Sequence, residues 1–333
     1  MARPVSAPQV VAPEREGEET DVVLRIDDLV VEFPAGGGRT VHAVSGISLD
    51  VRRGETLGLV GESGCGKSTT GRAIMQLPRP TSGSVVFEGH DLAKLSAAEL
   101  RALRLKLQMI FQDPISSLNP RRRIPDIVGD PLVVWGRGHE RAKLVPEVLE
   151  AVGLDPKQVA DRRPHQFSGG QCQRVSIARA LVLEPEVLIC DEPVSALDVS
   201  VQAQILNLLE DMKRRYGLTL VFIAHDLGVV RNISDRVAVM YLGKICELGE
   251  TQALFDGPVH PYTRLLVSSI PGAEGEAADR GRGEMPSPMN PPSGCRFRTR
   301  CPLASERCAA EEPEMREVRP GRFAACHHPV MED

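Results

Sequence analysis

GESGCGKST, residues 61–69, is the stretch whose reading decides the fold. It fits G-x-x-x-x-G-K-[ST], and it lies between a short apolar run at 55–60 (ETLGLV) and a helix-like run at 67–77 (KSTTGRAIMQL). A strand, a glycine loop and a helix in that order make a phosphate site. Glycines at 61, 64 and 66 let the backbone turn tightly and aim successive N–H groups inward, at a helix N-terminus whose dipole adds partial positive charge. Lys67 is then expected to reach the β and γ phosphates of a nucleotide, and the Ser68 hydroxyl to ligate Mg²⁺. A chance match to the pattern would lack the flanking strand and helix.

The rest of the chain bounds what this site can serve. With 333 residues, one phosphate loop and no internal repeat, the sequence accommodates one large α/β domain with appendages. The net charge of −5 is dispersed, which argues against nucleic acid as a partner, and Arg121, Arg122 and Arg123 read as a local contact or a solvated turn. No window is apolar enough to span a bilayer, and the opening twenty residues lack the apolar block of a secretory signal. A cytosolic chain is expected, with residues 1–20 a disordered leader.

Strand-like and helix-like patterns alternate through the first 240 or so residues, as in a mostly parallel sheet flanked by helices. Strands are expected at 22–33, 41–51, 55–60, 84–87, 107–111, 186–190, 218–223 and 236–241. Between about 113 and 180 the strand signals vanish, and helical patterns broken by Pro and Gly predict a helical subdomain inserted into the sheet domain. The domain then covers 21–270, a Gly-, Glu- and Pro-rich linker 271–292, and a cysteine-containing tail 293–333.

A magnesium ion and an attacking water both need carboxylates near the γ phosphate. VLICDE at 187–192 supplies them: four apolar residues make a buried strand, Asp191 at its C-terminal end faces the magnesium shell, and Glu192 is placed to polarise water. Ser168-Gly169-Gly170-Gln171, opening a helical pattern, is a second anion site. One nucleotide is already satisfied by the first loop, so two sites suggest two chains.

Together with Gln112 in MIFQDP, Asp198 in SALD and His225 in FIAHD, these motifs resemble the ATP-binding cassette (ABC) family in every diagnostic element and in order, over about residues 22–270. The resemblance implies an ABC-type P-loop α/β domain and a head-to-tail dimer with ATP sandwiched between phosphate loop and signature. It implies that Gly61, Glu62, Ser63, Gly64, Cys65, Gly66, Lys67, Ser68 and Thr69 hold phosphates and Mg²⁺. Gln112 becomes the sensor glutamine at Mg²⁺ and water, Asp191 the magnesium-side carboxylate, Glu192 the catalytic base and His225 the γ-phosphate switch. Ser168, Gly169, Gly170, Gln171 and Asp198 act across the dimer. The adenine is expected to stack on Phe33, with His42 as substitute. Cys65 and Cys190 read as packing residues rather than redox groups.

Four further stretches, QDPISSLNPRRRI, FSGGQCQRV, GPVHPYTRLL and NPPSGCRFRTRCP, look like the oligopeptide/dipeptide importer ATPases, most like the second ATPase subunit of that system. That implies a second cassette as heterodimer partner, two transmembrane permease subunits contacted by residues 113–123, an extracytoplasmic peptide-binding protein, and a place on the cytoplasmic face of the membrane. The turn 114–120, Leu118 included, is expected to be exposed for that contact. Nickel and oligosaccharide importers share much of the pattern; a soluble cassette acting on nucleic acid or ribosomes would show paired cassettes or a long coiled coil.

Cys295, Cys301, Cys308 and Cys326 are separated by five, six and seventeen residues and make one complete ligand set. A cytosolic location disfavours disulfides, leaving [4Fe–4S] or Zn²⁺, with His327 and His328 as spare ligands and the resemblance tipping the choice to [4Fe–4S]. The tail has too few large apolar residues for a core of its own, so ligation is expected to order it.

Overall fold

The computed structural model describes residues 21–270 and 283–331. The expected leader and the 271–282 part of the expected linker lie outside the described residues.

The described strands are β1 (Val22–Ala35), β2 (Arg39–Arg52), β3 (Thr56–Val60), β4 (Ser82–Phe87), β5 (His90–Asp91), β6 (Leu107–Ile110), β7 (Val187–Asp191), β8 (Thr219–Ala224), β9 (Arg236–Tyr241), β10 (Lys244–Glu250), β11 (Arg316–Arg319) and β12 (Arg322–Ala324). They form two sheets. In the larger one β9, β3, β8, β7 and β6 lie side by side in parallel, and β10, β12 and β11 continue past β9 as antiparallel strands. β2, β1, β4 and β5 make a separate antiparallel sheet. This corrects the single, mostly parallel sheet expected from alternation. A period of two shows that a strand has a buried face without saying which sheet receives it. The local reason for the split is the turn after β1, where Gly37 and Gly38 both take positive φ (75° and 73°), so β2 folds straight back on β1.

Every residue of β3, β7 and β8 is buried, as befits parallel strands covered on both faces. Val187, Ile189, Val221 and Ile223 pack toward the antiparallel sheet with Leu24, Ile26 and Phe87. Leu188, Leu220 and Phe222 point the other way, into a core shared with Ile124, Val128, Leu149 and Val175. Each such side chain contributes about 1.5–3 kcal/mol on burial, so both faces of the sheet are firmly held. Among the described residues the chain between β6 and β7 holds helical elements only, with Ile124–Val134, Arg141–Ala151 and Gly169–Leu181 the longest. Arg122 and Arg123 pair locally with Asp130 and Asp161 at 2.6 and 2.8 Å.

The tail docks on this body. β12 pairs with β10, and Arg322 donates to the carboxylate of Glu247 at 2.6 Å. Glu247 is fully buried and also accepts from the backbone N–H groups of Val259 and His260 at 3.1 and 2.8 Å. Upstream, Pro288 O accepts from the His42 N–H at 3.0 Å, so this part of the expected linker lies against β2. The expectation that metal ligation alone orders the tail is corrected: it borrows a core by strand pairing and a buried ion pair. Among the described residues no helix is long and apolar enough to cross a membrane.

Candidate active site

The candidate groups gather at the carboxyl edge of the parallel strands, where open α/β sheets place ligands. Because β3, β8, β7 and β6 are neighbours, the residues that follow them are brought side by side: the phosphate loop after β3, His225 after β8, Asp191 and Glu192 at β7, and Gln112 after β6.

The loop is shaped by close backbone approach. A Cβ on Gly61 would stand 2.0 Å from Met240 O, and one on Gly66 2.2 Å from Ala43 O; Gly66 also takes φ 111° at the N-cap of the helix Lys67–Ile74. Only glycine meets both demands. Lys67 is buried and donates to the carbonyls of Gly61 and Glu62 at 2.7 and 3.0 Å, so its ammonium closes the loop that would receive phosphate.

Ser68 Oγ donates to Asp191 Oδ1 at 2.6 Å. Asp191 is fully buried, its Oδ2 finds no hydrogen-bond partner, and burial, opposed by the Ser68 hydrogen bond, raises its pKa above the usual carboxylate value. A buried carboxylate oxygen left unpaired is costly, and a hard cation beside the serine hydroxyl relieves that cost. The residues present therefore fit Mg²⁺.

Glu192 takes φ 47°, an uncommon conformation for a side chain with a Cβ, and its N–H donates to Ile223 O at 2.9 Å. That turn lifts its carboxylate off the strand. Gln112 Nε2 donates to Glu192 Oε2 at 3.0 Å and His225 Nδ1 lies 3.3 Å from the same oxygen. Two residues from two other loops thus converge on one oxygen of the Glu192 carboxylate. Beside Gln112 an open cleft of about 480 Å³ is bordered by Arg72, Asp113, Ser116 and Arg179. Sequence reasoning passed over Arg72, whose guanidinium stands 4.0 Å from Asp191 Oδ2; an arginine one turn into a helix carries no local signal of that approach.

Ser168 caps the helix Gly169–Leu181, accepting from Gln171 N at 3.3 Å while Gln171 Oε1 accepts from Ser168 N at 3.1 Å. Ser168, Gln171 and Asp198 are exposed, and Asp198 is the N-cap of the helix Val199–Tyr216. Ser168 and Gln171 cap their own helix, whereas the Asp198 side chain makes no capping hydrogen bond. Phe33 is 37% exposed near the end of β1, while His42, paired across the strands with Glu32, holds its carboxylate at 2.6 Å. Phe33 is thus not a core residue.

Two expectations change. Leu118 is 1% exposed and belongs to the core under the helices, so it is not a docking residue; Ile115, at 58%, is the exposed apolar group of that turn. In the tail, burial pushes the Cys326 thiol up to about 12, opposed by the His328 N–H and aided by the Cys295, Cys301 and Cys308 thiols. The backbone N–H of His328 donates to Cys326 Sγ at 3.3 Å. Yet among the described residues no three His, Cys, Asp or Glu side chains stand in metal-holding geometry.

Comparisons with known proteins give the family and the fold. The family described as ABC transporter matches residues 44–195, and the oligopeptide/dipeptide transporter C-terminal region matches residues 246–308. The chain is 52% identical over 313 residues to a putative oligopeptide transport ATP-binding protein, YkfD, of Bacillus subtilis, covering 92% of this chain and 95% of that one. It is 50% identical to the oligopeptide transport ATP-binding protein OppF of Salmonella typhimurium, covering 89% and 93%. Among solved structures, cbiO1 from Clostridium perfringens, part of the ABC transporter complex cbiONQ, superposes with a TM-score of 0.63 at 31% identity, covering 71% of this chain and 91% of that one. The ATP-binding cassette MJ0796, a dimer in a post-hydrolysis state bound to ADP and Pi, gives 0.62 at 30%, covering 68% and 98%.

Proposed function

Because the chain belongs to the ABC transporter family, we propose that it is the ATP-binding and hydrolysing subunit of an importer of oligopeptides or dipeptides. The observation that carries the reading is the convergence of Gln112 and His225 on Glu192, one residue beyond the buried Asp191–Ser68 pair. In this reading the loop N–H groups and Lys67 hold the triphosphate, and Asp191, Ser68 and Gln112 hold Mg²⁺. The ion, when bound, neutralises phosphate charge as it develops. Glu192 accepts the proton of the attacking water, oriented by its two neighbours, and His225 follows the γ phosphate. Phe33 stacks on the adenine.

Ser168–Gln171, which open their helix with an exposed capping box, and the exposed Asp198 are read as the half-site offered to a second cassette in a heterodimer. The 113–180 stretch is read as the inserted helical subdomain that meets two permease subunits at the cytoplasmic face of the membrane, and residues 293–333 as the cysteine-rich extension. An extracytoplasmic binding protein would deliver the peptide, so this chain need not touch cargo. The four-cysteine set at 295, 301, 308 and 326 and the His328 N–H donated to Cys326 Sγ support a structural [4Fe–4S] cluster or Zn²⁺.

Reconstitution with both permeases and the second cassette in vesicles tests the reading. ATP-dependent accumulation of labelled peptides is expected; accumulation of Ni²⁺ or an oligosaccharide in place of peptide would replace the cargo, and ATP hydrolysis that no membrane partner stimulates would remove the importer altogether.

A further inference from the structure

Glu62 is the first variable position of the phosphate loop, and each of its polar groups is held from outside the helix that follows or by the loop lysine. Its carbonyl accepts from Lys67 Nζ at 3.0 Å, and its N–H donates to Tyr262 Oη at 2.9 Å. Its two carboxylate oxygens accept from Arg300 Nη1, each at 2.9 Å. Arg300 comes from the cysteine-bearing tail, 238 residues away in sequence.

The support for that guanidinium is built. Tyr241, Tyr262 and Phe297 are fully or nearly fully buried and pack edge-on or tilted with centroids 4.7, 5.2 and 5.3 Å apart. Arg300 lies over the Tyr241 and Phe297 rings at 5.7 and 5.8 Å, with only 10% of its side chain exposed. Its own N–H bonds to Phe297 O at 2.9 Å, so ring and guanidinium belong to one turn, bracketed by Cys295 and Cys301. Arg296 donates to Leu242 O at 2.9 Å and fixes that turn to the strand end beside the loop.

A carboxylate next to a triphosphate repels it, and a loop without side support must be ordered on binding. We propose that Arg300 is a positioning residue of the phosphate loop: by neutralising the Glu62 carboxylate that it clamps, it lets the docked tail set the affinity of the site for ATP. The inference rests on the reading of residues 61–69 as an ATP site. Its function for the tail differs from stapling, because the same turn that carries two of the cysteines carries the group that meets the loop.

Equilibrium binding of Mg-ATP to the full chain tests it, with melting temperature measured alongside. Arg300→Ala is expected to weaken binding about tenfold by leaving one carboxylate uncompensated near the phosphates, and Arg300→Lys to recover most of it. The decisive variant is Glu62→Ala with Arg300→Ala, which removes both charges and should bind several-fold more tightly than Arg300→Ala alone. A purely structural role would leave the double variant as weak as the single one, and that result overturns the proposal, as does an Arg300→Ala chain that binds normally. Should Arg300→Ala fail to fold, Glu62→Gln decides instead: it leaves the arginine charge uncompensated, so binding should tighten a few-fold, and unchanged or weaker binding overturns the proposal. If the unaltered chain itself fails to bind Mg-ATP, or Lys67→Ala binds as well as it does, the ATP reading fails, not the clamp.

Discussion

The catalytic edge of the sheet and the cysteine-bearing tail are both short polar stretches, yet they reach order by opposite routes. At the edge, each functional group sits within a contiguous motif at the end of a buried strand, and the parallel order of β3, β8, β7 and β6 aligns those ends. In the tail, the ordering partners lie far away: Glu247 for Arg322, 75 residues back, and the Tyr241–Tyr262 pair for Phe297. The comparison teaches that a site can be local in sequence while the element buttressing it is not. It also predicts that substitutions at the edge change chemistry with little change in stability, and substitutions at the Arg322–Glu247 contact of the tail the reverse.

Glu192→Gln should give the largest effect. An amide cannot accept the proton of water, so turnover in the assembled transporter should fall by about 10²–10⁴-fold while ATP binding and melting temperature hold. Near-normal hydrolysis would break the edge half of the comparison, provided the partner cassette is itself inactivated.

Arg322→Met is the counterpart. It strands the fully buried Glu247 carboxylate, and losing one member of such a pair costs about 3–5 kcal/mol, readable as a lower urea midpoint. A midpoint unchanged from the parent would mean that the tail does not need its ion pair.

A pH effect of roughly 3 kcal/mol should come from His260. Burial lowers its pKa from 6.5 to about 4, with its backbone contact to Ala325 opposing the shift, and its Nδ1 accepts from Tyr262 N at 3.0 Å. The unfolded chain therefore takes up the proton first. Stability from this group is intact above about 6.5, declines as pH falls and is fully lost below about 4. His260→Asn, which keeps an N-cap acceptor without titrating, should flatten that slope in denaturation measured across the window; an unaltered slope would assign the acid sensitivity elsewhere.

The smallest stability effect is expected at Ile115→Asp, within about 0.5 kcal/mol because the side chain is exposed. Co-purification with the permease subunits should nonetheless drop. If assembly survives, this turn is not the contact surface. Leu118→Asp cannot replace that experiment, because a carboxylate in the core would unfold the helices first.

What the sequence determined by itself was the set of local motifs and the turns, strands and caps they form. Gly61–Thr69, the VLICDE strand, Gln112, Ser168–Gln171 and His225 were legible because each needs only its neighbours: a glycine to turn, an apolar strand to bury, a polar residue at the strand end. Most of the parallel strands were legible for the same reason. What only the tertiary structure decided was which surfaces meet. Alternation in β1, β2 and β4 gave a buried face and no partner sheet. β10, KICELGE, did not look like a strand, because its inward Glu247 makes sense only against Arg322. Leu118 and Ile115 stand three residues apart in one turn with equal hydrophobicity, and only packing sends one into the core and leaves the other outside. Arg300 gave no sign of touching the phosphate loop. Short-range steric and capping rules act within a few residues and are written in the order of the chain, whereas a contact across 238 residues depends on where two separately formed elements come to rest.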